Sequence, residues 1–91
     1  MKIQKGQKNG LNCFIELQSY FHNVAVKWIQ INYIEFCETP DGTRCFEVAQ
    51  TPIIIQDNNS VTPPITKYTD YCTQFNASAI ESAIDNYLST L

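Results

Sequence analysis

The tetrapeptide Thr39-Pro40-Asp41-Gly42 lies between two short runs rich in alternating apolar and polar residues, Ile34 to Glu38 and Arg44 to Val48. Pro presets φ at the first central turn position, Asp suits the second, and Gly supplies the positive φ that side-chain-bearing residues adopt only with strain. Such a segment imposes an antiparallel hairpin and excludes an all-helical chain. The expected form is a three-residue loop with a bulge at Gly42 and Thr39 paired with Thr43. That register sets Glu38 opposite Arg44, Cys37 opposite Cys45, Phe36 opposite Phe46 and Ile34 opposite Val48, each except the cysteines a favourable cross-strand neighbour. The like-charged Glu35 and Glu47 then mark a solvated face, and Cys37 and Cys45 share it by the two-residue period of a strand.

A second hairpin is expected at Phe21-His22-Asn23-Val24, where Asn tolerates the left-handed conformation of a two-residue turn. Pairing Phe21 with Val24 places Ile15, Leu17, Phe21, Val24, Val26 and Trp28 on one face. Counting onward by twos joins them to Ile34 and Phe36, and through the first hairpin to Phe46 and Val48. Two turns assigned separately thus agree on one core face.

Near the C-terminus, Ser78-Ala79-Ile80-Glu81 reads as a capping box that opens a helix. Ile80, Ala83, Ile84, Tyr87, Leu88 and Leu91 follow as one apolar stripe, and so short a helix needs a sheet to dock on. Pro52 to Ile55 reads as an edge strand, Gln56 to Pro64 as a loop, and Lys67 to Phe75 as a further extended segment. The expected fold is a small α+β domain: an antiparallel meander of four to five strands with one C-terminal helix packed on one face. In 91 residues there is room for one domain, read as a basic N-terminal arm at 1–10 and a body at 11–91.

With 44% apolar and 16% charged residues the composition is globular rather than disordered. No stretch of about 20 apolar residues offers a membrane helix. The net charge of −3 sets the chain against general nucleic-acid binding, which needs a basic face to displace counterions. A polar N-terminus without the apolar core of a secretory signal predicts cytoplasmic synthesis.

Cys13, Cys37, Cys45 and Cys72 lack the close ligand pairs of a zinc site and are expected as free, mostly buried thiols, although a Cys37–Cys45 cross-strand disulfide is geometrically conceivable. His22 is expected as a solvated turn residue, since no Cys-His signature accompanies it. Gly6, Gly10 and Gly42 form no phosphate-binding loop. No catalytic, cofactor or metal residues are therefore expected, and the sequence leaves a small-molecule partner open.

The candidate site is instead a surface. On the long strand, Ile29, Ile31 and Tyr33 face away from the expected core, with Phe14 placed across from Ile31. A single helix covers one face of a sheet, so this second face is expected to be covered either by Ile53 to Ile55 or Lys67 to Phe75 of the same chain or by another molecule, and the intermolecular contact is the one put forward as the candidate site. Lys2, Lys5 and Lys8 would assist from the arm, because setting them aside leaves three cations against nine acidic residues. The expected function is a non-enzymatic structural or assembly subunit acting through protein–protein contacts, by self-association or in a larger assembly. The 8 Asn and 7 Gln, with few lysines, have the character of small phage virion proteins such as decoration, neck or tail components, a likeness of composition that rests on no motif. The alternative expectation is a monomeric ligand- or partner-binding module, regulatory or inhibitory.

Overall fold

The protein is described from a computed structural model that places residues 2–73 and 79–91. It is a small domain built on a mostly antiparallel sheet that curls into a half-barrel, with two short helices. The strands are β1 (Lys2–Lys8), β2 (Leu11–Asn23), β3 (Trp28–Glu38), β4 (Arg44–Ala49), β5 (Ile53–Asn58) and β6 (Ile65–Thr66), and the helices are α1 (Lys67–Cys72) and α2 (Ile80–Ser89). Strands run in the order β1-β2-β3-β5-β6, and β3 is long enough to seat two neighbours on one edge. Its first half pairs with β5 (Ile29 with Ile55, Ile31 with Ile53), and its second half pairs with β4.

The Thr39–Thr43 hairpin forms as its residues dictate. Gly42 has φ +87° and donates its N–H to the Thr39 carbonyl at 2.9 Å, while the Thr39 N–H reaches the Thr43 carbonyl at 2.9 Å. Asp41 accepts hydrogen bonds from the Thr39 hydroxyl and the Thr43 N–H, which hold its carboxyl down at about 2. A Cβ at Gly42 would meet nothing within 4 Å, so the cost of a side chain there is purely one of backbone conformation. Gly42→Val is accordingly expected to destabilise the domain by about 1 kcal/mol or more, read from urea unfolding, with no change in secondary structure.

Several expectations are corrected. Residues 2–8 are not a loose arm: they form β1, turned onto β2 through Asn9-Gly10, whose φ values of 53° and 80° suit a two-residue hairpin loop. The β2–β3 connection is Val24–Lys27 rather than His22-Asn23, with Asn23 opposite Trp28, Lys27 at φ 53° and the Asn23 side chain accepting the Val26 N–H. Lys67–Cys72 is helical instead of extended, so there are two helices and not one. Ser78 of the expected capping box lies outside the described residues, and Ala79 occupies the N-cap position of α2 without a side-chain cap bond.

The largest correction concerns the two faces of the sheet. Leu17 pairs with Tyr33 but Ser19 with Asn32, so Gln18 is an extra residue that reverses the facing of β2 beyond it. Directly paired residues share a face. One face, here called inner, therefore carries Ile15, Leu17, Tyr20, Ile29, Ile31, Tyr33, Ile53 and Ile55, and the α2 stripe of Ile80, Ile84 and Leu88 packs there with Tyr68 of α1. Ile29 and Ile31 are 0% exposed. The outer face carries Phe21, Trp28, Ile34 and Phe36 from the expected core face, together with Phe14, which was expected on the other side.

A second slip occurs on β4. Glu35 pairs with Val48 and Cys37 with Cys45, so β4 holds one residue too many between them, with Phe46 at φ 55°. The expected Phe36–Phe46 and Ile34–Val48 pairs are lost: Ile34 faces Ala49, and Phe46 and Val48 are exposed. Glu35 and Glu47 are not opposed either, since Glu47 stands beside Arg44 at 3.9 Å.

Candidate functional site

Each residue first read as an interface has a place in this fold. Ile29 and Ile31 lie in the core beneath the helices, and Tyr33 is half-buried against it, so these side chains are covered by their own chain. The reason is that the helices cover the aliphatic inner face rather than the aromatic outer one. Phe14 is on the opposite face, across from Phe36 and not Ile31.

Two of the three lysines have partners within the chain. Lys5 Nζ donates to the carbonyls of Ser89 and Leu91 at 2.8 and 2.9 Å, placing a cation where the C-terminal end of α2 leaves carbonyls without helical partners. Lys2 Nζ meets Glu38 Oε1 at 2.6 Å, and Lys8 is exposed.

Lys2 belongs to a structure that divides the outer face in two. Phe14 and Phe36 stack with ring centroids 5.6 Å apart. Over them cross two ion pairs, Lys2 with Glu38 and Arg44 with Glu16 (3.0 Å), each spanning from one side of the aromatic row to the other. The Lys2 ammonium sits 4.6 Å from the Phe14 ring and the Arg44 guanidinium carbon 4.1 Å from the Phe36 ring. This charged lid leaves Phe36 0% exposed on a face that carries no helix in its core.

Among the described residues, the other half of the outer face has no such lid. Phe21, Gln30 and Ile54 form one cross-strand row, and Asn23, Trp28 and Gln56 the next. Phe21 is 51% exposed with its ring 5.3 Å from that of Trp28, and Ile54 is 38% exposed. At the adjoining turn Val24 and Val26 are exposed as well. Gln30, Asn32, Asn23 and Gln56 interleave with the apolar groups, so these strand rows carry no charge.

The surface among the described residues also has concavities. A cleft of about 690 Å³ lies between α1 and α2, lined among others by Lys67, Asp70, Tyr71, Ser82 and Tyr87. Burial pushes the Tyr71 hydroxyl up to about 12. On the inner face, away from the helices, a trough of about 490 Å³ runs between Lys8 and Phe46, with Glu35 and Cys37 in its lining.

His22 is not the solvated turn residue expected from sequence. It lies on β2, where its Nε2 and the Tyr68 hydroxyl share a hydrogen bond of 2.5 Å. Burial, followed by contact with Cys72, raises Tyr68 to about 12, so the phenol stays protonated at neutral pH. The arrangement satisfies a buried hydroxyl, as a core tyrosine requires.

The cysteines are also corrected. Cys13 and Cys37 form a disulfide between β2 and β3 with Cα atoms 4.0 Å apart, while Cys45 and Cys72 are free. The Cys13–Cys37 pairing was missed because it depends on the long-range register of β2 against β3.

The chain matches no protein-family model, and no curated protein or solved structure is significantly similar to it. Among the described residues no helix is long and apolar enough to cross a membrane.

Proposed function

We propose that this chain is a non-enzymatic assembly subunit whose contact surface is the unlidded half of the outer sheet face, and that its first partner is a second copy of itself. The observation that carries this is the exposure of Phe21, packed on Trp28, and of Ile54 in the same cross-strand row, large apolar side chains on one sheet face that a monomer rarely leaves in water. The charge pattern favours a copy of the same chain. Away from this patch the protein is acidic, with a net charge of −3 overall, and would repel its own kind. The patch rows are uncharged, with apolar and amide side chains interleaved, so two copies meet there without like charges in contact. Face-to-face sheets pack about 10 Å apart, and a specific contact needs roughly 800 Å² from each partner.

Sedimentation velocity over a range of concentrations tests the reading. The parent should dimerise, and Phe21→Lys with Ile54→Lys should weaken association at least tenfold, since aromatic anchors commonly contribute more than 1 kcal/mol to a contact. Circular dichroism should be unchanged, because both side chains are already partly in water. A parent that stays monomeric throughout would overturn self-association. The alternative, a monomeric binding module, would then rest on the cleft between α1 and α2. The composition-based setting, a phage virion component, has the same contact at its centre and is tested by which assembly co-purifies with the native protein.

A further inference from the structure

Three of the four cysteines stand in one row. Cys13 on β2, Cys37 on β3 and Cys45 on β4 are direct cross-strand partners, so all three side chains project from the same inner face with Cys37 in the middle. We propose that this row is an intramolecular thiol–disulfide exchange site in which the bond held by Cys37 passes between Cys13 and Cys45.

The geometry differs on the two sides of Cys37 in a way that suits both bonds. The N–H and C=O of one strand residue point to the same side, so a residue hydrogen-bonded to one neighbour is not hydrogen-bonded to the other. The Thr39 N–H donates to the Thr43 carbonyl, and the ladder alternation two residues back makes Cys37 and Cys45 a hydrogen-bonded pair. Such pairs hold Cα atoms about 5.5 Å apart, close to the commonest spacing in disulfides. The pair with Cys13 is the narrow kind, with Cα atoms 4.0 Å apart, and carries the bond in this structure. Cys45 keeps its thiol and lies against Cys37, its Sγ 3.5 Å from the Cys37 carbonyl oxygen.

The row also sets the direction of attack. Exchange requires a thiolate to approach the disulfide sulfur opposite the sulfur that leaves. Cys45 on β4 and Cys13 on β2 flank Cys37 from opposite sides, as such an approach requires. The Cys45 thiol loses its proton and attacks Cys37 Sγ, and the Cys37–Cys45 bond forms as the Cys13–Cys37 bond breaks. Cys13 leaves as a thiolate that takes up a proton. One disulfide and one thiol remain throughout, so no external oxidant or reductant is consumed.

The consequence is mechanical. In one state the bond ties β3 to β2, which carries core residue Ile15. In the other it ties β3 to β4, whose exposed Phe46 and Val48 wall the trough containing Cys37. The site thus couples the position of a covalent bond to the rigidity of the strand that walls this trough.

N-ethylmaleimide labelling of the native full chain at pH 8, with acid quenching and peptide mass mapping at successive times, reads the exchange directly. Cys45 and the distant Cys72 should label, and label should also accumulate on Cys13 together with a Cys37–Cys45 linked peptide. In Cys45→Ser the labelling of Cys13 should fall at least tenfold while that of Cys72 is unchanged. A parent in which Cys13–Cys37 stays intact and unlabelled while Cys45 is fully alkylated would overturn the proposal, and so would equal Cys13 labelling in Cys45→Ser.

Discussion

Ile31→Lys should abolish the folded state. Ile31 is 0% exposed at the centre of β3, with Tyr20 and Ile53 as its cross-strand neighbours and the α2 stripe in the same core cluster. An ammonium there would be desolvated, and the surrounding core side chains are overwhelmingly apolar. Costs of this kind exceed about 4 kcal/mol, against a total stability of about 5 to 15 kcal/mol for a small domain. The expected result is loss of near-UV circular dichroism and of a cooperative thermal transition at neutral pH. A folded Ile31→Lys variant with lost association would instead return this residue to an intermolecular face and contradict the core described above.

Ile84→Ala should have the next largest effect. Ile84 is also 0% exposed and lies between Ile80 and Leu88 on the buried stripe of α2. Truncation removes apolar burial and leaves a cavity, at a cost of about 2 to 5 kcal/mol. For a domain of this size each kcal/mol lowers Tm by about 4 to 8 °C, so the midpoint should fall by roughly 8 to 40 °C. Val24→Ala at the exposed turn provides the control and should stay within about 0.5 kcal/mol of the parent. An Ile84→Ala variant with an unaltered midpoint would show that α2 does not hold the inner face.

The candidate surface was partly legible in the sequence, in an inverted form. Phe21, Trp28, Ile34 and Phe36 do share a face, as alternation along the strands requires, yet that face is the one without a helix core. Both parities of β3 are apolar: Ile29 and Ile31 on one, Trp28, Ile34 and Phe36 on the other. Hydrophobicity alone could not say which of them the helices would choose. A local signal was overlooked as well. Asn9-Gly10 is among the strongest two-residue hairpin sequences, and it places Lys2–Lys8 in the sheet. With β1 recognised, the three lysines read as parts of a strand rather than an arm.

What the amino-acid sequence determined by itself is what a few neighbouring residues decide. Pro40-Asp41-Gly42 specifies its turn through backbone preference, and the spacing of Ile80, Ile84 and Leu88 specifies the buried side of α2. The tertiary structure decided the rest, because a strand repeats every two residues and one added residue exchanges its faces. Gln18 on β2 and the extra residue near Phe46 on β4 are such additions, and the local sequence does not mark either. The choice of inner face arises when β5 sets Ile55 beside Ile29 and Ile53 beside Ile31, making an aliphatic bed for the α2 stripe from segments distant in the chain. Only that pairing separates the aliphatic face, which is buried under the helices, from the aromatic face, which is left to ion pairs at one end and to water at the other.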